Sequence, residues 1–423
     1  DSKNFTFQSD FVNPLTDKSK MEMGIRAEFN NNTSTNAFYI IEPISGKLIL
    51  QPASQVDYKS NDRVLAAYTT FSNKIKDFGY QLGLRAESSK YNGELTRTNE
   101  NFNINYAISF FPSVFLSQKF KNDQELQLNY TRRINRPNFW QLTPFTDSSD
   151  FLNLSKGNPG LKPEFTNSME LSYQKIFKNR DNFLGSIYYK NTNDLITRYQ
   201  ELQTEPTTGK DQIINTYINA SSSYVTGLEL TMKNNITKWW ELTNNFNLFT
   251  SKISIKDSSI PKQDQFASWF YKINNNIKLS KKLTFQLSGS YQSKTILPPG
   301  GSGGGGREGR GSFSGFGQSS SAQGYVRPVY YVDAALRYTF LKENRGSLSV
   351  NMNDIFRTRV SDVHSESPYF IQDVLRRRDA QIVRVNFSWR FGKFDNSLFK
   401  RKNNRQEADP NGGIDMGNMG IGQ

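Results

Sequence analysis

Charged side chains recur in this chain at positions that alternate with apolar ones: Arg26 and Glu28, Arg85 and Glu87, Glu125, Glu170, Glu229 and Lys233, Asp333 and Arg337, Arg384 and Arg390. Groups of this kind can bind ions, orient water and form charge-assisted hydrogen bonds. They lack the partners that hydrolysis or redox chemistry requires. Cysteine is absent, so thiol catalysis and disulfides are excluded. The one histidine, His364, lies in Asp362-Val363-His364-Ser365-Glu366, the only place where a His-paired nucleophile could form. A lone histidine among polar residues reads as a surface residue. Asp10, Asp257 and Asp264 lack calcium-loop spacing. The Gly-rich stretch 300–317 has no Gly-Lys-Ser/Thr to cradle a phosphate. The sequence thus predicts a non-enzyme with no metal, cofactor or catalytic residue.

What positions these charges is a period of two. Leu283-Thr-Phe285-Gln-Leu287-Ser-Gly289-Ser-Tyr291-Gln is one such stretch, and Val383-Arg384-Val385-Asn386-Phe387-Ser388-Trp389-Arg390-Phe391 is another. Alternation of this kind makes strands with two unlike faces. It places Leu126, Leu128, Tyr130, Met169, Leu171, Tyr173, Val385, Phe387 and Trp389 on one face. Glu125, Glu170, Glu229, Asp333, Arg337, Arg384 and Arg390 fall on the other. A long sheet, apolar outside and charged inside, suits a barrel in lipid with a wet lumen.

The totals agree. At 423 residues the chain is too long for one ordinary sandwich, yet no linker or change of period divides it. A hydrophobic fraction of 35% excludes helical spans, which need about 18 consecutive apolar residues. It does not exclude strands, since only alternate residues meet lipid. Aromatic content of 13%, with 32 Phe and 20 Tyr, fits interfacial girdles. The net charge of +14 raises nucleic-acid binding, but Lys and Arg are spread over inward faces, turns and the tail, so no nucleic-acid partner is expected. The Arg/Gly stretch 300–317 reads as a flexible outer loop.

Fifteen strands are predicted, near 5–11, 21–29, 62–73, 78–88, 101–118, 124–135, 165–177, 182–198, 212–235, 239–253, 266–279, 283–296, 326–340, 346–358 and 379–391. Short turns such as 74–77, 121–123, 178–181, 280–282 and 342–345 alternate with long connections at 30–61, 89–100, 136–164, 199–211, 254–265, 297–325 and 359–378. Bacterial outer-membrane barrels share this asymmetry, with tight periplasmic turns and long outer loops. Aromatics gather beside the short turns: Phe78 with Tyr80, Phe120, Phe177, Phe183, Trp239 with Trp240, Phe340 and Phe391. An odd strand count puts the two ends on opposite sides of the membrane. The chain, which opens at Asp1 without a signal peptide, therefore reads as part of a larger barrel.

Two segments carry a specific resemblance: Asn129-Tyr-Thr-Arg132-Arg133-Ile-Asn-Arg136-Pro-Asn-Phe139-Trp140-Gln-Leu-Thr-Pro-Phe145 and Gly157-Asn-Pro-Gly-Leu-Lys-Pro-Glu164-Phe. Phe11-Val-Asn-Pro-Leu15, Arg63-Val-Leu-Ala-Ala-Tyr68 and Gly83-Leu-Arg-Ala-Glu87 belong with them. Together they resemble the TonB-dependent receptors of Bacteroidota-type bacteria, in the outer membrane protein beta-barrel family. The resemblance implies an all-β, antiparallel up-and-down transmembrane barrel of about 22 strands with a plugged lumen. This chain would supply about the last fifteen, with the plug absent. It implies a barrel portion over 1–392 in the Gram-negative outer membrane; the charged and then Met/Gly-rich residues 393–423 read from their composition as a disordered periplasmic tail. Import of a scarce nutrient would follow, whether siderophore, glycan, peptide or cobalamin. Implied partners are outer-membrane lipid and lipopolysaccharide, the cargo, and the TonB energy-coupling protein acting through the absent plug.

The residues also have a direct physical reading. Pro137, Pro144, Pro159 and Pro163 interrupt any ladder, and Asn158-Pro-Gly is a turn. Arg132, Arg133 and Arg136 lie where the chain leaves the barrel and Glu164 where it re-enters, so bracing of the loop base competes with ligand contact. Phe139, Trp140, Phe145 and Tyr369 are the loop aromatics placed to capture cargo. A passive porin, an adhesive surface barrel and a soluble sandwich are the rival readings.

Overall fold

The computed structural model describes residues 1–391 apart from 38, 43, 51–55, 144–145, 148–153, 205–208, 210, 255–264, 297–322, 367–370 and 378. The predicted tail, all of the Gly-rich stretch 300–317, Phe145 and Tyr369 lie outside the described residues. One sheet of seventeen strands dominates. Fifteen of them form an antiparallel meander: Ser2–Thr16, Ser19–Asn36, Val56–Ile75, Phe78–Leu95, Glu100–Phe120, Gln124–Asn135, Glu164–Ile176, Asn182–Thr204, Asp211–Asn235, Trp240–Ser254, Ala267–Lys278, Leu283–Gln292, Val329–Phe340, Gly346–Met352 and Val383–Trp389. The other two, Thr146–Asp147 and Leu154–Lys156, are short additions from one loop. Among the described residues no ladder joins Val383–Trp389 to Ser2–Thr16, and both strands are exposed along their whole length.

Cross-strand register carries the two faces around the wall. Leu126, Leu128 and Tyr130 stand opposite Tyr173, Leu171 and Met169. These stand opposite Gly185, Ile187 and Tyr189, which in turn meet Leu230, Leu228 and Thr226. At the far edge Val350 and Leu348 oppose Val385 and Phe387. The intervening residues form the other face, where Gln127, Ser172, Ser186 and Glu229 lie in one row. Ile187 is 59% exposed and Phe387 65% exposed, so no second layer covers the apolar face. Ser172, Ser186 and Asn247 on the polar face are buried. Crowding of small polar groups opposite bare apolar ones marks the polar face as concave. A sandwich would bury the other side.

Short turns close as expected, several through positive-φ residues such as Lys76, Asn122, Asp123 and Arg180. In the turn after Ile176, Asp181 accepts hydrogen bonds from the Asn235 backbone N–H at 2.6 Å and from Asn179, stapling two neighbouring turns. Those bonds, the Asn235 N–H first, hold its carboxyl below the usual range. Interfacial rings collect beside these turns: Trp239 stacks with Trp240 and Phe340 packs near Phe387.

Three predicted elements need correction. The strand placed at 346–358 ends at Met352, because Asp354 has positive φ and its carboxylate accepts from the N–H groups of Thr358 and Arg359, closing a tight turn. The connection 359–378 is not a loop. Val360–Glu366 and Ile371–Arg377 pair with each other, Val360–Glu366 pairs with Gln323–Val326, and Gln323–Val326 pairs with Thr295–Ile296, building a separate four-stranded sheet on the long-loop side. The connection 30–61 is also structured, by extension of two barrel strands and a hairpin of Tyr39–Ile41 with Leu48–Leu50.

Candidate functional site

The concave face is held by networks that cross several strands. Tyr68 donates to Asp10 two strands away, passing over Gly24, which lies between them in register with both. A Cβ at Gly24 would fall 2.7 Å from the Asp10 carboxylate. The arrangement recurs with Tyr188, which passes over Gly227 to donate to Asn247 Oδ1 at 3.1 Å. There a Cβ would lie 2.6 Å from the tyrosine hydroxyl and 2.7 Å from the Leu248 carbonyl oxygen. Glycine in a strand marks such a close approach. Gly227→Val is expected to displace Tyr188 and destabilise the barrel by about 1–3 kcal/mol, as overpacked interiors do. Urea unfolding of the protein in lipid vesicles measures this, and an unchanged midpoint would contradict the tie.

The carboxylate of Glu87, 9% exposed, lies 3.3 Å from both Arg85 and Arg136. Arg136 also donates through Nε to Ser89 Oγ at 3.0 Å. Arg85 in turn lies 5.3 Å over the Tyr68 ring, so the network runs from Asp10 to the start of the long segment 136–163. At the end of that segment Glu164 accepts from Asn135 Nδ2 at 2.7 Å and from the Ile196 backbone N–H at 2.6 Å. Both ends of the segment are thereby fixed to the wall.

The described residues of the segment turn inward. Leu142 and Leu161 bury against Ile196, with Phe102, Ile104 and Tyr217 around them. Phe102 and Ile104 oppose Gly93 and Tyr91, on the face of Arg85 and Glu87. Tyr217 and Asn219 lie on the face of Glu229, with Asn219 opposite Ile196. All these contacts are therefore on the lumenal side. Asparagines supply the pairing a strand would otherwise give. Asn219 bonds both the N–H and the carbonyl of Lys162, at 2.8 and 2.9 Å. Asn158 donates to the Tyr217 carbonyl at 2.9 Å, and Asn215 to that of Leu154 at 2.9 Å. These asparagines were missed in the sequence. The alternation Asn215-Thr-Tyr217-Ile-Asn219 on one strand face was the available signal.

The predicted site residues separate into groups. Arg136 and Glu164 meet the loop base as described. Arg133 alternates to the lumenal face, but Arg132 shares the outer face with Leu128 and Tyr130, its guanidinium 5.1 Å over the Phe165 ring. Phe139 and Trp140 begin the helical turn Phe139–Leu142, and Trp140 is 67% exposed. Glu125 accepts from Gln127, and Glu170 from Ser172, both at 2.9 Å on the concave face. Glu229 opposes Ser186 and Asn247, Arg337 opposes Thr284 and Ser349, and Arg384 opposes Asn351. Asp333 accepts the Asp354 backbone N–H at 2.7 Å, tying the wall to the tight turn above it. Arg390 lies past its strand and donates to the Asn344 carbonyl in a short turn. His364 lies in the four-stranded sheet, 3.0 Å from Asp373, whose carboxyl that contact holds low. Among the described residues no group of three or more His, Asp or Glu is placed to hold a metal.

A curved antiparallel wall with an apolar outer face, a charged concave face and an inward-folded loop defines an outer-membrane β-barrel. The chain belongs to the outer membrane protein beta-barrel family, whose model matches residues 1–389, and it resides in the Gram-negative outer membrane. Its fold is that of the ferric citrate transporter FecA in the unliganded form, at 14% identity and a TM-score of 0.63, covering 92% of this chain and 54% of that one. The copper transporter OprC matches at 12% identity and a TM-score of 0.61, over 89% and 55% of the two chains. The FrpB iron transporter from Neisseria meningitidis matches at 12% and 0.59, over 92% and 56%. The chain thus spans about half the length of the solved structures it matches. No curated protein matches it.

Proposed function

We propose that this chain is the wall of an energy-coupled outer-membrane importer, in which TonB acts through a plug held in the lumen. The observation that carries this reading is a concave face built from fixed ion pairs and hydrogen bonds, with the segment 136–163 anchored at both ends across it. A wall of this kind presents an immobile polar lining to a cargo or a plug and narrows the way past it. The likeness in fold to proteins named as ferric citrate, copper and iron transporters supports the same reading and sets the first cargoes to test.

Cells carrying the whole receptor should take up the cargo saturably and lose uptake when the proton gradient is dissipated. Iron supplied as a chelate, and copper, are the first substrates to assay. Uptake that survives an uncoupler and does not saturate would favour a passive porin. Unchanged growth with loss of attachment would favour an adhesive barrel.

A further inference from the structure

The outer face carries a pair of cations whose placement is unfavourable for the protein alone. Arg63 and Lys90 stand directly opposite each other on adjacent strands, Val56–Ile75 and Phe78–Leu95. Arg63 alternates with Leu65 on the outer face, and Lys90 lies on the face opposite to Arg85 and Glu87. Both cations are exposed. Like charges directly opposite in a sheet destabilise it. The nearby carboxylates do not relieve them. Asp62 and Glu87 alternate to the concave side, and Glu28 is engaged by Arg26. Glu94 shares the face of Lys90 but is four residues further along, about 13 Å at strand rise, and opposes Lys59.

We propose that Arg63 and Lys90 together hold the phosphate of a lipid A-type glycolipid of the outer leaflet. Height supports this. Arg63 lies twelve residues from Ile75 and Lys90 twelve from Phe78, the short-turn ends of their strands. At strand rise and a tilt of about 40° that is roughly 30 Å of height, just beyond the apolar band of roughly 25 Å. The pair therefore sits where headgroups begin, on the long-loop side. Beside and below it the surface suits acyl chains, and Leu65, two residues nearer the short-turn end on the same face, is 39% exposed. Phe29 opposes Arg63, and its ring is 6.3 Å from that of Phe5, which is 63% exposed. The guanidinium fork can grip two phosphate oxygens while the ammonium supplies a point charge to a third.

The whole receptor, purified and placed in nanodiscs, tests this with three lipids: lipid A bearing its phosphates, dephosphorylated lipid A, and phosphatidylcholine alone. Phosphorylated lipid A should raise the unfolding temperature by several degrees over phosphatidylcholine, because it binds only the folded wall. The double variant Arg63→Gln with Lys90→Gln should lose most of that rise, and Lys90→Arg should keep it. In phosphatidylcholine the double variant should be at least as stable as the parent, since the repulsion is gone. A merely structural role for these residues would make it less stable there. An equal rise with dephosphorylated lipid A, or a full rise in the double variant, would overturn the proposal. The transport reading stands or falls separately, since neither residue faces the lumen.

Discussion

Glu87→Ala is expected to destabilise the barrel by about 3 kcal/mol and to release the inward-folded segment 136–163. Among the described residues its carboxylate is the one partner that Arg85 and Arg136 share, and it is almost wholly buried. Removing one member of a buried charge cluster leaves the others uncompensated, which costs roughly 3–5 kcal/mol. A control is built into the sequence. Gly24-Ile-Arg26-Ala-Glu28 repeats the pattern of Gly83-Leu-Arg85-Ala-Glu87, and Arg26 pairs with Glu28 at 2.9 Å. That pair is about one-third exposed, so Glu28→Ala should cost under about 1 kcal/mol. Thermal unfolding, with limited proteolysis over 136–163, separates the two. Equal effects at both sites would mean that burial does not set the strength of the Glu87 cluster.

The second large effect concerns the sheet edges. Among the described residues, Ser2–Thr16 and Val383–Trp389 each have one unpaired side. In lipid every unsatisfied backbone group costs several kcal/mol, so an open edge of this length is not tolerated. Residues 1–423 expressed alone should fail to give a heat-resistant, faster-migrating barrel on electrophoresis from bilayers. Supplying strands that pair both edges should restore it. A sealed, heat-resistant barrel from residues 1–423 alone would refute this expectation.

The meander was legible because period two and turn chemistry are local. Each of the fifteen predicted strands has a counterpart in the wall, many of them longer on the outer side. The extensions escaped notice because strands such as Val56–Ile75 turn polar beyond the membrane, where alternation loses its apolar half. The four-stranded sheet was hidden for another reason. Gln323–Val326 pairs with Val360–Glu366, and nothing within either short polar segment announces the other. At the candidate site, Arg136 and Glu164 were visible as charges flanking prolines. Arg132 was grouped with its neighbours by sequence proximity, although simple alternation sets it apart. The inward course of 136–163 depends on asparagine side chains that bond backbone, a role with no motif.

The tyrosine ties over Gly24 and Gly227 have a consequence for sliding. Apolar alternation penalises a one-residue slip between strands, because it turns every side chain to the wrong face. It is blind to a two-residue slip, which restores the faces. The ties are not. Shifting Tyr68 or Tyr188 by two positions would bring its ring over a residue bearing a side chain, Glu22 or Arg26 in place of Gly24 and Val225 or Glu229 in place of Gly227. These two places act as keyways, so a load drawn along the axis meets a wall whose strands cannot creep past one another.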